Sequence, residues 1–361
     1  MGKKVSIKQI AEMAGVSAGT VDRIIHNRGK VSAKNMDAVE KVLKEVGYRS
    51  NIHNSAVGYF RKLKIAMTMP ESEKGDYWWL IESGIRHAVE EYYDVSIELE
   101  KFLYNQFDIK SYRQAYEKLL GASPDAVIIG PSFREETRAL CRKLDERKTP
   151  YVMVDSMVTG TRPLNFLCAD AHAAGRIQAE ILDRITPAGS TIALFEANPV
   201  GNREPVNTNR RKKGWEEYFS QMNPSRKIIN IKYSIGGDDT ESFSEIFRRN
   251  PGIGGIALQN SRAYMLADIV KKLGIKDISI VAFDLTERNA SCLRDREISA
   301  LICQNPELQG YQAVIAILEY MLYKRPGTLK VSYSPLDIVL AENLPYYSAT
   351  FGSGVNIFPI A

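Results

Sequence analysis

The sequence predicts two folds in one chain: an all-α helix-turn-helix head, followed by an α/β core of two doubly wound parallel-sheet lobes. Three observations predict it. Residues 5–32 carry two short apolar stretches of helical period separated by a glycine. From Leu63 onward, short apolar runs alternate with amphipathic stretches, as in a parallel sheet with crossover helices. Charge divides at the same place: residues 1–64 hold thirteen Lys or Arg against five Asp or Glu. That is +8 in a chain whose total is +5, which leaves the remainder near −3.

The head reads as three helices. Ser6 and Gln9 form a capping box for the first, whose inner face is Ile7, Ile10, Ala11 and Ala14 and whose stop is Gly15. Ser17 caps the second, with Val21, Ile24 and Ile25 inward and Ala18, Gly19, Asp22 and Arg23 outward. A third helix over about 33–46 has Met36, Val39, Val42, Leu43 and Val46 at helical spacing and ends at Gly47. A basic two-helix turn of this kind suits duplex DNA, since its cations neutralise phosphates. The plain alternative is a solvated three-helix cap. Residues 48–62 lack a clear period and read as a linker.

The core runs are LKIAMTM, VSIELE, DAVIIG, YVMVD, NFLCAD, TIALFEA, IINIKYS, GIALQ, ISIVAFD and ISALICQ. That many strands suit two lobes better than one sheet. Ligands of such folds bind at the carboxyl ends of strands, here in the cleft between lobes. Asp155, Asn260, Asp284 and Gln304 follow or end apolar runs and so become candidate hydroxyl partners, with strand-end turn chemistry as the alternative for each.

Composition excludes several classes. At 361 residues, 44% hydrophobic and 25% charged, the chain is that of an ordinary globular protein. No apolar run reaches the ~18 residues of a membrane span. The start, MGKKVSIKQ, lacks the apolar core of a secretory signal, so a cytoplasmic protein with no membrane partner is expected. Four cysteines and four histidines lie scattered without a Cys-x-x-Cys pair. No metal and no cofactor is expected, and the cysteines read as small buried hydrophobes. Neither a nucleophile elbow, a phosphate loop, a dinucleotide fingerprint nor a paired-histidine motif is present, so no enzyme is expected.

Residues 5–17 (VSIKQIAEMAGVS), 20–23 (TVDR), 28–32 (RGKVS) and 45–48 (EVGY) resemble the lactose-repressor family of bacterial transcription regulators. The core is similar to periplasmic sugar-binding proteins of type I at Asp155, 170–175 (DAHAAG), 211–215 (RKKGW), Asn260, 279–284 (SIVAFD) and 298–304 (ISALICQ). The resemblance implies a repressor: a homodimer reading a near-palindromic double-stranded operator, with a small carbohydrate-like effector in the cleft. It also implies a division into a head (1–48), a hinge (49–62) and a core (63–361). One lobe would take about 63–163 plus 305–328, the other about 164–304 plus 329–361.

By the same resemblance, the DNA-contacting positions are Ser6, Ser17, Ala18, Gly19, Thr20, Asp22, Arg23, Asn27, Arg28 and Lys34, with Asn51 and Val57 in the hinge. Ala18 and Gly19 have no hydrogen-bonding side chain, so base readout falls to Arg23, which can fork onto guanine. Asp22 either accepts from a cytosine amino group or orients Arg23. Val57 stands where the family usually has a leucine wedge, and it is shorter.

For the effector, the resemblance points to Tyr77, Trp78, Trp79, Asp155, Arg211, Asn260, Asp284 and Gln304. Adjacent rings at 77–79 cannot all face one way, and Trp79 either lines the cleft or packs under its helix. Arg211 is the arginine that forks onto effector hydroxyls, while Arg210, Lys212 and Lys213 read as a solvated face. Ser261 and Arg262 depart from the family pattern. With Arg134 and Arg211 they suit an effector bearing a carboxylate or phosphate. The core alone would also suit a solute receptor for transport, a reading the DNA-type head opposes.

Overall fold

A computed structural model describes residues 6–25, 31–45, 62–93, 95–198, 206–233, 240–323 and 330–348. The chain divides into two units: residues 1–61 form the first, and the remainder, apart from 94–96, forms the second.

The first unit holds α1 (Ile7–Ala14), α2 (Ala18–Ile25) and α3 (Ala33–Glu45). Both arms of the α1 capping box form: the Ser6 hydroxyl accepts from the Gln9 N–H at 3.3 Å, and Gln9 Oε1 accepts from the Ser6 N–H at 2.8 Å. Gly15 closes the helix with φ of +64°, a conformation that favours glycine. The Ser17 hydroxyl accepts from the Thr20 N–H at 3.1 Å and starts α2. Ile10, Ala11, Val21, Val39 and Val42 form the core, with Ile7, Ala14, Val16, Ile24 and Leu43 packed against it. Met36 departs from the expected stripe: it is 44% exposed, one turn ahead of the Val39–Leu43 segment that meets the core. Val46, Gly47 and most of the hinge lie outside the described residues.

The second unit opens with β1 (Leu63–Thr68), α4 (Tyr77–Glu91), β2 (Ile97–Lys101), α5 (Ile109–Ala122), β3 (Ala126–Ile129), α6 (Arg134–Glu146), β4 (Tyr151–Val154) and β5 (Asn165–Cys168). It continues with α7 (Ala171–Ile185), β6 (Thr191–Ala197), α8 (Val206–Met222), β7 (Ile228–Tyr233), α9 (Thr240–Arg249), β8 (Ile253–Leu258), α10 (Ala263–Lys272), β9 (Ser279–Phe283), α11 (Glu287–Arg294) and β10 (Ala300–Cys303). It closes with α12 (Pro306–Tyr323), β11 (Lys330–Tyr333), β12 (Asp337–Val339) and α13 (Leu344–Ser348).

Two sheets result, in the orders β11-β5-β4-β3-β1-β2 and β12-β10-β9-β8-β6-β7. Among the described residues, every pairing is parallel except β10 with β12. The doubly wound, two-lobe α/β architecture is the one expected.

Its boundaries differ from expectation. β5 pairs with β4, Met153 opposite Phe166, and β11 pairs with β5, so 165–168 and 330–333 belong to the first lobe. The NFLC run simply extends the ladder before the chain leaves. Three crossovers join the lobes, after β5, after β10 and between β11 and β12. Hydrogen bonds bind them into one hinge: Ser334 N–H to Cys168 O at 2.9 Å, Ser334 Oγ to Gln304 O at 2.7 Å, and Asn305 Nδ2 to Pro335 O at 3.0 Å.

Each lobe carries one close helix crossing that frames the cleft. A Cβ on Gly84 of α4 would fall 1.9 Å from the Glu307 carbonyl of α12, and one on Gly175 of α7 would fall 1.9 Å from the Arg211 carbonyl of α8. Only glycine permits these approaches. They seat the starts of α4 and α8 at the cleft edge.

Candidate functional site

Between the lobes lies a cavity of about 410 Å³, within the range of small-molecule sites. Tyr77, Trp78, Asp155, Arg211, Asn260, Asp284 and Gln304 all line it. Trp79 does not line it. Successive helix residues diverge by about 100°, and its ring lies beneath the Arg86 guanidinium, 5.5 Å from ring centre to Cζ.

Tyr77 opens α4 and donates its hydroxyl to Asp155 Oδ1 at 2.7 Å. Burial, then the Asp155 charge, push the phenol well above its ordinary pKa, so it remains a donor. Trp78 stands edge to face with it, with ring centres 5.5 Å apart. Ser156 Oγ donates to the other Asp155 oxygen at 2.5 Å. Asn207, at the start of α8, reaches across the cleft to the same carboxylate at 3.3 Å and to the Asp155 carbonyl at 3.2 Å.

The second lobe supplies a buried relay. Arg211, 5% exposed, donates from Nη1 to Gln259 O at 2.8 Å and from Nη2 to Gln304 Oε1 at 2.7 Å. Gln304 Nε2 then donates to Asp284 Oδ1 at 2.7 Å. The guanidinium also lies over the Phe283 ring, 4.2 Å from its centre. Burial raises the Asp284 pKa to about 6, against the lowering effect of Arg211 and Gln304. Asn260 lines the cleft and also makes turn contacts, accepting from the Arg262 N–H and donating to Tyr233 Oη, both at 2.9 Å.

Arg134 and Arg262 line the cavity as well, and the Arg262 guanidinium lies 5.9 Å from the Phe107 ring across the mouth. Among the described residues, four cationic side chains, Arg134, Arg211, Lys232 and Arg262, stand against five carboxylates, Glu71, Asp76, Asp155, Glu196 and Asp284. The described part of the wall therefore carries no cationic surplus. Lys212, expected in a solvated face, instead pairs with Glu196 at 2.9 Å, because its position on α8 points it at β6.

Gln259 and Asn207 also line the cavity, beyond the residues the sequence indicates. Gln259 ends the GIALQ run and was overshadowed by the next residue. Asn207 stands four residues before Arg211, one helical turn away on the same face, which is the signal that could have found it.

In the head, Ser6, Ser17, Ala18, Gly19 and Arg23 are exposed, and Thr20 and Asp22 are half-buried. The Ser17 and Thr20 hydroxyls bond each other at 2.9 Å. Lys34 lies in the first turn of α3. Asn27, Arg28, Asn51 and Val57 lie outside the described residues.

All four cysteines are buried and free. Among the described residues, one group of metal-type side chains, Asp268, Cys292 and Glu297, comes together. Its Glu297 is held by the Lys271 ammonium at 2.5 Å.

Residues 65–324 match the family model for periplasmic binding protein domains, and residues 6–51 match that for bacterial regulatory proteins of the lacI family. The transcriptional regulator DegA of Bacillus subtilis is 23% identical over 287 residues, covering 78% of this chain and 82% of the relative. The ribose operon repressor of Lactococcus lactis is 24% identical over 60% of each chain. A crystal structure described as that of a LacI transcriptional regulator from Bacteroides fragilis superposes with a TM-score of 0.73 at 26% identity, over 80% of this chain and 100% of that one. The core belongs to the family of periplasmic binding protein domains, and with its lacI-family DNA-binding domain the chain is a DNA-binding transcription regulator.

Proposed function

We infer that the protein is a cytoplasmic repressor that binds a near-palindromic operator as a homodimer and changes its grip when a small, neutral, polyhydroxylated effector, a sugar or sugar derivative, enters the cleft. One observation carries the reading. Tyr77 and Asp155 from the first lobe, Arg211 and Asp284 from the second, and Gln304 from the hinge converge on one polar cavity. A ligand held by both lobes and the hinge fixes how far the lobes close, and closure is the movement available to such a core.

Tyr77 and Trp78 offer ring surface for the apolar face of a sugar. The carboxylates accept from hydroxyls, while Arg211 and Asn207 donate to them. The balance of charge on the wall favours a neutral ligand over the anionic one that the arginines alone suggest. Asp155 and Asp284 are each engaged by neutral donors, which suits binding rather than acid–base catalysis, so no reaction is assigned. The relative named as a ribose operon repressor supports the carbohydrate class. The two-fold arrangement of heads follows from how helix-turn-helix modules read paired half-sites.

Thermal denaturation of the purified protein with D-ribose, L-arabinose, D-glucose, D-galactose, gluconate and glucose 6-phosphate tests the assignment. A neutral aldose raises the melting temperature by mass action. A shift confined to gluconate or the phosphate ester, or no shift with any of them, rejects the neutral-sugar reading.

A further inference from the structure

Gln259 follows β8, is 1% exposed and lines the cavity. Neither its amide nitrogen nor its amide oxygen makes a hydrogen bond. A buried amide left unbonded works against the fold, so its presence asks for another reason. Turn chemistry, which employs Asn260, does not supply one.

Strand alternation places the side chain. Ile256 and Leu258 pack into the core under α9 and α10, while Ala257 packs into the core under α7 and α8. Gln259 shares the face of Ala257, which is the face of Arg211. Arg211 Nη1 donates to the Gln259 carbonyl at 2.8 Å, and Arg211 Nε is likewise unbonded. Two adjoining buried residues at the cleft floor thus hold one spare acceptor and two spare donor groups.

We propose that Gln259 is a specificity-determining residue that reads a vicinal diol of the effector: Nε2 donates to one hydroxyl oxygen, Oε1 accepts from the neighbouring hydroxyl, and Arg211 Nε donates beside them. The inference rests on the reading of the cleft as a sugar site. Adjacent hydroxyls both give and accept, which is what a neutral amide requires. A carboxylate brings no proton for Oε1, and an ammonium brings no lone pair for Nε2.

The test compares wild type with Gln259→Met, which keeps the length of the side chain and removes its polar atoms. Both proteins are melted empty and then titrated calorimetrically with D-ribose, L-arabinose, D-glucose and D-galactose. The expected result has two parts. The empty variant melts at or above the wild-type temperature, because two unbonded polar groups leave the interior. Its affinity for the aldose that binds wild type most tightly falls at least ten-fold. A variant that melts clearly below wild type reveals a structural role and overturns the proposal, as does one that binds that aldose within two-fold of wild type. If none of the four aldoses binds wild type, the sugar-site reading itself fails, and the proposal falls with it.

Discussion

Asp155 and Asp284 hold the same backbone angle, φ of +67°, each on the residue that follows the fourth strand of its lobe. Each also donates its N–H to the next strand, Asp155 to Leu167 O at 2.9 Å and Asp284 to Ile302 O at 3.0 Å. The lobes thus repeat one device. A strand ends in a left-handed turn, uncommon outside glycine but tolerated by aspartate, and the turn sets a carboxylate on the cleft wall. The two carboxylates differ in surroundings: Asp155 accepts from Tyr77, Ser156 and Asn207, whereas Asp284 is buried with Gln304 and Arg211.

That difference gives a pH dependence. Burial raises the Asp284 pKa from 3.8 to about 6. Between those values the folded protein holds a proton that the unfolded chain has released, so stability through this group falls as pH rises across the window and is level above it. Effector affinity runs the other way, because an ionised acceptor binds hydroxyls more strongly than a neutral one. Calorimetry at pH 5 and pH 7.5 should show tighter binding at the higher pH by about ten-fold, and Asp284→Asn should flatten the profile.

Glu307, half-buried in the first turn of α12, has its pKa raised from 4.5 to about 7 by burial alone. The folded form therefore keeps a proton across that range, and stability declines as pH climbs through it. Glu307→Gln should stabilise the protein at pH 8 by about 2 kcal/mol and leave it unchanged at pH 4. Urea unfolding at the two pH values measures the difference.

Glycine substitution should separate packing from propensity. Gly84→Ala places a methyl 1.9 Å from the Glu307 carbonyl, whereas a methyl on Gly121 of α5 meets nothing within 4 Å. The first should cost about 3 kcal/mol or more by forcing α4 from α12. The second should stabilise by up to about 1 kcal/mol through helix propensity. Melting curves of the two variants should shift in opposite directions.

On the head, Arg23 is exposed in the last turn of α2, and we propose that it makes the base contact that the family resemblance implies. Arg23→Ala should cost about 1–3 kcal/mol on the cognate duplex and relax sequence preference. Lys34→Ala should weaken cognate and random duplexes alike and flatten the salt dependence. Gel-shift titrations across a salt series distinguish the two patterns.

Local chemistry made much of this legible in the sequence. The Ser6–Gln9 box and Gly15 state both ends of α1 within ten residues, and YVMVD and SIVAFD each announce a buried strand with a polar end. What escaped lacked such a signature. β11 and β12 are short edge strands in which only Val339 is buried, so neither forms an apolar run. The lobe boundary was missed because parallel pairing of 165–168 with β4 is a long-range choice that leaves no local mark. Trp79 was indistinguishable from its neighbours until the phase of α4 was known. Gln259 was hidden because an unbonded amide is a property of its surroundings, not of its residue type.

The central claim is that the cleft and the head share one free energy. The direct measurement is fluorescence anisotropy of the full-length protein on a duplex selected from a random pool, with the cleft empty and then saturated by the aldose that raises its melting temperature. The account predicts that operator affinity changes by about 5- to 150-fold and that the operator changes aldose affinity by the same factor. Identical operator affinity with the cleft empty and full would contradict it.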